Sequence, residues 1–393
     1  MGKRDRWDSS SESESESESN NNNTKDETSA GTASIATAKK KQSNSSTNDR
    51  NNNTAAISSL LLPLHNPLLQ GCRSVYDTYE QIRHISEGTY GVVWQARDLA
   101  TNEIVALKQI KFPDDLTKEG FPITALRECS VLLAMSHENV VTVREMVVGD
   151  SFDKVFMVME FMEFDLKQGM DRYNPREALA QSELKDILRQ ILAGMQHMHS
   201  KWLLHRDIKT SNILVHRSGR VCLCDFGLAR RYQDPPQELT LLVVTLWYRA
   251  PELLFGETRY GPAIDMWSIG CMFGELICRD AIMQGQGELD QVDQIFQMVG
   301  VPTKENWPLF EQLPNANMFR WRKNKDDQPD IYKKFPINAP VSSSQAFLDS
   351  NGFDLLKKLL TLDPQHRISA DDALRHPYFH QGVKPRTPRF FVE

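Results

Sequence analysis

Hydrophobic residues are distributed very unevenly along this 393-residue chain. Residues 1–58 consist mainly of Ser, Glu, Asn and Thr, with almost no aromatic or branched aliphatic residues. Such a segment buries too little apolar surface to offset the entropy lost on ordering, so we expect a disordered tail. Residues 59–78 are more apolar but are interrupted by Pro63 and Pro67, and we expect an extended lead-in there.

From residue 79 onward the apolar positions become periodic. Alternation over residues 79–98 predicts two strands joined by a glycine-containing turn. Helical spacing after Pro122 predicts a helix that begins where a missing N–H costs nothing. The clearest helical pattern covers residues 182–200 and has one apolar face, whereas the helix that begins at residue 265 is apolar nearly all round.

Composition narrows the range of partners. The net charge is −6 and the pI is about 6.0, which gives no reason to expect direct nucleic-acid binding. No apolar run approaches the roughly 20 residues that a membrane span needs. The six cysteines are scattered and indicate neither disulfides nor a metal site. We therefore expect a reducing compartment, no membrane partner and no direct nucleic-acid partner.

Two polar motifs follow the helix at residues 182–200. Residues 205–212 read His-Arg-Asp-Ile-Lys-Thr-Ser-Asn, and Asp225-Phe226-Gly227 begins thirteen residues after Asn212. Any one of these residues alone would be typical of a turn. The consecutive match and the correct spacing resemble the catalytic loop of eukaryotic protein kinases.

This resemblance implies a two-lobed α+β fold over residues 79–379. A small, mainly β N-lobe with one key helix would occupy residues 79–161, and a mainly α C-lobe would occupy residues 162–379. Residues 380–393 would form a C-terminal tail.

The resemblance also implies transfer of the γ-phosphoryl group of ATP, with Mg²⁺ as cofactor. Asp207 would orient the substrate hydroxyl and accept its proton. Asn212 and Asp225 would hold Mg²⁺, and Lys209 would offset the developing charge. Lys209 with Thr245 is the pairing of Ser/Thr-specific kinases.

Nucleotide binding is expected at the junction of the lobes. Lys108 would bridge the α- and β-phosphates and form an ion pair with Glu128. Ser86 replaces the first Gly of the family's phosphate-loop pattern. Backbone groups of Glu160 and Met162 would bind adenine. The full expected set is Ile85, Ser86, Glu87, Gly88, Thr89, Tyr90, Gly91, Val92, Val93, Ala106, Lys108, Met159 (the gatekeeper), Glu160, Met162, Asp165 (near the ribose), Leu214 and Asp225.

Residues 122–128, Pro-Ile-Thr-Ala-Leu-Arg-Glu, are similar to the cyclin-docking helix of cyclin-dependent kinases. The match is closest to the PITSLRE type, which shares the Gln-Gly-Cys-Arg-Ser-Val sequence at residues 70–75 and the altered first Gly. The resemblance covers roughly residues 70–384. It implies a cyclin partner, of the L type, and nuclear work in transcription, pre-mRNA splicing or cell-cycle control, with a cytoplasmic pool as an additional option.

Phosphorylation is expected to regulate such an enzyme. Thr240 matches the activating phosphothreonine that a separate activating kinase modifies. The matching positions for a phosphate clamp are Arg127, Arg206 and Arg230. Thr89 and Tyr90 match positions where phosphorylation inhibits cyclin-dependent kinases.

Residues 243–249 should line the pocket for the residue after the phosphoacceptor. In the family this pocket accepts proline, so protein substrates with Ser/Thr-Pro are expected. Asp265 is expected to cap its helix or to hold the backbone of the catalytic loop. Arg367 is expected to pair with Glu252.

Two other interpretations compete with an active cyclin-dependent kinase. A pseudokinase scaffold that binds a cyclin is favoured only by Ser86. A MAP kinase is rejected because Thr240-Leu241-Leu242 contains no Tyr and the Pro122 helix is of the cyclin-binding type.

The Ser-Glu run of the tail could be a phosphorylation target or a plain solubilising segment. Residues 39–41 are three lysines, too few to indicate nuclear import by themselves.

Overall fold

The computed structural model describes residues 72–88, 91–111, 123–133, 135–151, 154–172, 179–241, 243–318, 328–337 and 348–388. The expected disordered tail, residues 59–71 of the lead-in, Thr89, Tyr90 and Pro122 lie outside the described residues. No helix within these described ranges is long and apolar enough to cross a membrane.

The N-terminal lobe is built on a six-stranded sheet with the order β1-β5-β6-β4-β3-β2. All neighbouring strands are antiparallel except β1 and β5, which pair in parallel. Tyr79, Trp94, Leu107 and Phe156 form part of a buried cluster in this lobe. The strands are β1 (Arg73–Ser74), β2 (Tyr79–Gly88), β3 (Gly91–Asp98), β4 (Ile104–Ile110), β5 (Val143–Val148) and β6 (Val155–Glu160).

Two helices accompany this sheet, α1 (Val75–Thr78) and α2 (Ile123–Leu133). The inner face of α2 packs into the main core through Val131 and Leu132. Its outer face is apolar and open, because Ile123, Leu126 and Leu133 are 68%, 53% and 71% exposed. An apolar helix face left in solvent is typical of a surface that a partner covers.

The C-terminal lobe is mainly helical. Helix α4 (Gln181–Ser200) has the predicted apolar face, since its Leu, Ile and Met side chains are all buried. In helix α6 (Ala263–Cys278), every residue from 264 to 277 is buried, as its all-round apolar pattern predicted. The helices are α3 (Leu166–Arg172), α4 (Gln181–Ser200), α5 (Pro251–Leu254), α6 (Ala263–Cys278), α7 (Glu288–Val299), α8 (Ile331–Lys334), α9 (Ser350–Leu359), α10 (Ala370–Leu374) and α11 (Pro377–His380).

Two small sheets lie at the lobe junction and carry the polar motifs. One has the strand order β10-β9-β7 and the other pairs β11 with β8. The loop at residues 205–212 therefore leaves one small sheet and enters the other. The strands are β7 (Phe164–Asp165), β8 (Leu203–Leu204), β9 (Ile213–Val215), β10 (Val221–Leu223) and β11 (Arg230–Arg231).

Candidate active site

The carboxylate of Asp207 is the centre of the predicted catalytic loop. Its Oδ1 accepts hydrogen bonds from the backbone N–H of Thr245 at 3.1 Å and from the Thr245 hydroxyl at 2.9 Å. Its Oδ2 lies 2.8 Å from Lys209 Nζ and 2.9 Å from Asn212 Nδ2. Burial alone would raise the pKa of Asp207, but Lys209 and Thr245 hold it below its ordinary value. The carboxylate is thus ionised and firmly oriented.

Asp265, in the first turn of α6, holds the backbone of this loop. It accepts hydrogen bonds from the N–H of His205 at 3.0 Å and of Arg206 at 2.9 Å. Its Oδ2 also lies 3.0 Å from His199 Nε2. Burial opposes ionisation, but these donors lower the pKa of Asp265 below its ordinary value. The buried carboxylate therefore fixes the loop backbone, one of the two roles predicted for it.

Asn212 and Asp225 are the two predicted ligands of Mg²⁺. The amide nitrogen of Asn212 donates to the backbone oxygen of Asp207 at 2.8 Å and to its carboxylate, which leaves the amide oxygen for another partner. Asp225 has a φ of 62°, and its Oδ1 is buried without a hydrogen-bond partner among the described residues. An unpaired buried carboxylate oxygen is costly unless a cation or donor binds it.

These residues fit a magnesium ion. Among the described residues, no group of three or more His, Cys, Asp or Glu side chains could hold a metal. Mg²⁺ does not need such a cage, because it binds through one or two protein oxygens together with phosphate oxygens and water.

Lys108 on β4 and Glu128 on α2 form an ion pair between the sheet and the helix. Lys108 Nζ lies 2.7 Å from Glu128 Oε1, and both side chains are largely buried. Burial lowers the pKa of Lys108, but the Glu128 and Asp225 carboxylates outweigh it and raise the pKa above its ordinary value. A permanently charged ammonium thus lies near both Glu128 and Asp225.

The strand register brings the expected nucleotide-binding residues of the sheet together. Val93 pairs with Lys108, and Ala106 pairs with the gatekeeper candidate Met159. A Cβ at Gly91 would lie 2.2 Å from the backbone oxygen of Gln109, so only glycine fits there. Val92 and Ala106 are buried, whereas Ile85, Ser86 and Glu87 are exposed at the end of β2, next to Gly88. Thr89 and Tyr90 lie outside the described residues.

The segment between the lobes offers a backbone donor. No described residue accepts a hydrogen bond from the N–H of Met162, although this residue is buried. Glu160 directs its side chain into an ion pair with Arg220, and its N–H donates to the backbone oxygen of Thr142 at 3.3 Å. The Met162 N–H is therefore the group that an adenine ring could satisfy.

Asp165 and Leu214 lie opposite each other in the β7–β9 pair. One oxygen of Asp165 accepts a hydrogen bond from the N–H of Gln168 at 2.8 Å, in the first turn of α3. Burial raises the pKa of Asp165 above its ordinary value. Its other oxygen is the group that could approach a ribose.

Thr240 lies beside the arginine predicted to bind its phosphate. Arg206 Nη1 donates to the Thr240 hydroxyl at 3.1 Å and to the Tyr260 hydroxyl at 2.9 Å. Burial lowers the pKa of Arg127, and so do the positive charges of Arg230 and Arg206. No carboxylate of the described residues forms an ion pair with any of these three arginines. The structure therefore brings the three arginines close enough together for Arg206 and Arg230 to act on Arg127, and one of them, Arg206, bonds to Thr240.

The backbone at Val244 is strained. Its φ is 66°, a left-handed conformation that is a true outlier for a β-branched residue. The guanidinium group of Arg249 donates hydrogen bonds to both carbonyl oxygens of this turn. Its Nε lies 3.0 Å from the Val243 oxygen and its Nη2 lies 3.1 Å from the Val244 oxygen. Glu288 in turn lies 2.7 Å from Arg249 Nη1. Backbone strain held in place by such contacts is typical of functional sites.

Two residues that support the site, Tyr260 and Glu275, cannot be predicted from the sequence. Tyr260 bonds both Arg206 and the backbone oxygen of Thr240, the latter at 2.6 Å. Glu275 is buried and accepts hydrogen bonds from Tyr248 at 2.7 Å and Thr210 at 3.2 Å. Both lie far along the chain from the motifs they support, and no local pattern marks them.

Comparison with known proteins agrees with this geometry. Residues 79–379 match the family model described as the protein kinase domain. Cyclin-dependent kinase G-2 of Oryza sativa subsp. indica is 47% identical over 325 residues, which are 82% of this chain and 44% of that protein. Serine/threonine-protein kinase ppk23 of Schizosaccharomyces pombe is 46% identical over 84% of this chain and 79% of its own length. Human cyclin-dependent kinase 11B, of the PITSLRE type, is 44% identical over 84% of this chain and 40% of its own length.

A solved structure is also similar. A chain of the yeast RNA Pol II CTD kinase CTDK-1 complex superposes with a TM-score of 0.69 at 36% identity, covering 79% of this chain and 95% of that one. This chain therefore belongs to the protein kinase family and, within it, to the cyclin-dependent kinases. The predicted two-lobed α+β fold and the resemblance to PITSLRE-type kinases are confirmed. The chain spans less than half the length of several of these relatives, 44% for the rice kinase and 40% for the human one.

Proposed function

We propose that this chain is a proline-directed Ser/Thr protein kinase that a cyclin activates. The observation that carries the proposal is the complete and ordered set of charges around Asp207. Its carboxylate is ionised and held by Lys209, Thr245 and Asn212. A scaffold that only binds a partner has no need for such an arrangement.

Asp207 orients the substrate hydroxyl towards the γ-phosphorus of ATP and accepts its proton as the new bond forms. Lys209 lies between Asp207 and Thr245 and offsets charge on the transferred group. Lys108 binds the α- and β-phosphates and is kept in place by Glu128. Mg²⁺, held by Asn212 and Asp225, supplies positive charge to the phosphate oxygens when bound.

Proline specificity is supported by the turn at Val244. The residue after the phosphoacceptor would meet this turn, and its N–H would need an acceptor. Arg249 already occupies the oxygens of Val243 and Val244. An ordinary residue would therefore leave a buried N–H unpaired, whereas proline has none to lose.

Activation by a cyclin is supported by helix α2. Its exposed Ile123, Leu126 and Leu133 form an apolar face on the same helix that carries Glu128. A partner that covers this face would fix the Lys108–Glu128 pair. Relatives named as cyclin-dependent kinases point to a cyclin, and the PITSLRE resemblance points to the L type.

Regulation by phosphorylation is supported at Thr240. A phosphate there would be close to Arg206, and Arg127 lies near enough to Arg206 and Arg230 for the positive charge of both to lower its pKa. It would join helix α2, the catalytic loop and the activation segment, which runs from Asp225 to Glu252, after transfer from a separate activating kinase. Phosphates at Thr89 and Tyr90 would crowd the ATP phosphates and inhibit.

The names of the relatives support a proposal for the cellular setting. The neighbour of known structure is named as a kinase of the RNA Pol II CTD, and other relatives are cyclin-dependent kinases G and 11. We propose a nuclear protein that acts in transcription, pre-mRNA splicing or cell-cycle control, with a cytoplasmic pool as an additional option.

The test is phosphate transfer by the purified chain to a matched pair of Ser-Pro and Ser-Ala peptides, with and without an L-type cyclin. Transfer to the Ser-Pro peptide only, dependent on cyclin and lost in Asp207→Asn, supports every part of the proposal. Transfer without cyclin would support the proposed kinase activity and contradict the proposed cyclin dependence. Equal transfer to both peptides would contradict the proposed proline specificity. No transfer, even after phosphorylation of Thr240, favours the pseudokinase scaffold.

A further inference from the structure

One Ser/Thr-Pro sequence occurs in this chain. Of its 19 prolines, Pro388 alone follows a serine or threonine. The surrounding residues, Lys-Pro-Arg-Thr-Pro-Arg at 384–389, are basic. Thr387 therefore has the dipeptide that the proposed specificity requires, and every other Ser and Thr in the sequence lacks it.

The structure presents Thr387 on the surface. Residues 381–388 form neither helix nor strand, and Thr387 is exposed. Kinase substrates are held by contacts to an extended segment, so a hydroxyl in an irregular surface segment meets the first requirement for a substrate. A serine or threonine fixed within a helix or strand would have to unfold first.

We propose that Thr387 is a phosphorylation site of this kinase, modified by its own active site. The inference rests on the proposed function, because it takes Thr387-Pro388 as a Ser/Thr-Pro substrate. In the step, the Thr387 Oγ1 forms a bond to the γ-phosphorus of ATP while the bond from that phosphorus to the β–γ bridging oxygen breaks. The hydroxyl proton passes to the Asp207 carboxylate, and ADP leaves.

The segment must leave the C-terminal lobe to reach an active site. The backbone N–H of Arg386 donates to the Ser182 oxygen at 2.9 Å, and Pro388 is buried. The Thr387 methyl group packs so closely on Gly219 that a Cβ there would lie 1.9 Å from it. Pro388 cannot be buried against the lobe and inserted into the pocket at Val244 at the same time. Release of residues 386–388 therefore precedes transfer.

Few hydrogen bonds of the described residues oppose this release. Beyond the Arg386 bond, the next anchor is at Gln381, whose backbone oxygen accepts a hydrogen bond from Lys185 Nζ at 2.8 Å. Segments with few buried contacts and few backbone hydrogen bonds open at a small cost in free energy. A phosphate on Thr387 would then be surrounded by the positive charges of Lys384 and Arg386.

The first experiment incubates the full chain and its cyclin with Mg-ATP and measures phosphate on Thr387 by mass spectrometry. A Ser-Pro peptide in the same reaction reports basal activity. We expect phosphate on Thr387 in the wild type, none in Asp207→Asn, and about 10- to 100-fold less in Pro388→Ala, the range typical of one lost pocket contact. Thr387→Ala should leave peptide phosphorylation unchanged.

The outcomes separate the inference from the function. A phosphorylated peptide with unmodified Thr387 overturns the inference and leaves the proposed function standing. Phosphate on Thr387 in Asp207→Asn shows that another kinase adds it, and so overturns the inference too. If neither peptide nor Thr387 is modified, both proposals fail.

The second experiment tests the release step with Gly219→Ala. The added Cβ would collide with Thr387, so we expect Thr387 phosphorylation to rise severalfold relative to the peptide. Gly219 has a φ of 84°, and Gly300→Ala is the matched control because its φ is 94° and its nearest neighbour lies 3.4 Å away. An unchanged ratio in Gly219→Ala, or an equal rise in Gly300→Ala, would overturn the release step.

Discussion

The hydroxyl of Thr245 lies 2.9 Å from the carboxylate of Asp207, and the Thr245 N–H lies 3.1 Å from the same oxygen. These two bonds join residues that are 38 positions apart in the chain. The orientation of Asp207 thus depends on where the activation segment runs. Lys209 contacts both residues, because its Nζ lies 3.0 Å from the Thr245 hydroxyl and 2.8 Å from the Asp207 carboxylate.

Removing the Thr245 hydroxyl should therefore slow the chemical step. A hydrogen bond to a charged group is worth about 1.5–3 kcal/mol, so we expect kcat of Thr245→Ala to fall roughly 10- to 150-fold. The KM for ATP should change little, because Thr245 is not among the residues expected to bind the nucleotide. Thr245→Ser keeps the hydroxyl and is the control. Equal loss in both variants would show that the methyl group, not the hydroxyl, matters.

Breaking the Lys108–Glu128 pair should weaken ATP binding and transfer together. Glu128→Gln removes the negative charge that compensates the buried ammonium group of Lys108. The Lys108 side chain also loses the ion pair that orients it. We expect kcat/KM for ATP to fall by roughly 10- to 100-fold, the effect of about 1.4–2.8 kcal/mol. Glu103→Gln is the control, because the Arg144–Glu103 pair of the same lobe is exposed. If Glu128→Gln and Glu103→Gln have similar kinetics, the Lys108–Glu128 pair does not contribute to ATP binding or transfer.

Much of this site could be predicted because its residues lie in short, consecutive motifs. Asp207, Lys209 and Asn212 share one loop, and the spacing to Asp225 is fixed by one hairpin, β9–β10. The apolar faces of α4 and α6 followed from helical periodicity alone. The structure brings these side chains together, and their chemical roles stay predictions.

The rest depends on contacts that no local pattern encodes. Tyr260 reaches Arg206 across 54 positions of the chain. Val244 lies in a Val-Val run that would favour an extended strand, yet Arg249 and the surrounding packing hold it in a left-handed conformation. Tertiary contacts thus outweigh the local preference at Val244, and they alone place Tyr260 beside Arg206.

Thr240→Ala should lower cyclin-dependent activity, because the arginines would lose the phosphate that is proposed to neutralise them. Arg127→Gln should have a similar effect on the phosphorylated enzyme, with the unphosphorylated enzyme changed much less. One charge-assisted contact of about 1.5–3 kcal/mol gives roughly 10- to 150-fold. The measurement is kcat before and after treatment with the activating kinase. Equal loss in both states would contradict the clamp.

The Arg367–Glu252 pair should be a large contributor to stability in the C-terminal lobe. The side chains are only 0% and 2% exposed, and Arg367 Nη1 and Nη2 lie 2.7 and 2.9 Å from the two carboxylate oxygens. Removing one partner leaves a buried charge unpaired, so Arg367→Met should cost about 3–5 kcal/mol of unfolding free energy. Glu238→Gln, in the exposed Arg259–Glu238 pair, should cost about 0–1 kcal/mol. Urea unfolding measures the unfolding free energy of both variants. A small loss in Arg367→Met would contradict a large contribution of the Arg367–Glu252 pair to stability.

His197 on α4 should make the protein less stable in mild acid. Its ring stacks on His137 with centroids 4.9 Å apart, and its Nε2 is buried without a hydrogen-bond partner among the described residues. Burial, with the charges of His137 and Lys201, holds the pKa of His197 below its ordinary value. The unfolded chain then binds a proton more readily than the folded one. Stability is therefore full above the unfolded pKa near 6.5 and falls as pH drops towards the folded pKa.

The urea midpoint measured at pH 7.5 and pH 5.5 tests this dependence. Protonation of this one side chain should cost the wild type at most about 1.4 kcal/mol for each pH unit between its two pKa values. His197→Gln cannot be protonated, so its midpoint should fall less over the same interval. His380→Gln, at an exposed position of α11, is the control and should behave as the wild type. If His197→Gln loses as much stability as the wild type, the acid sensitivity arises elsewhere and the stacked histidine pair is not its source.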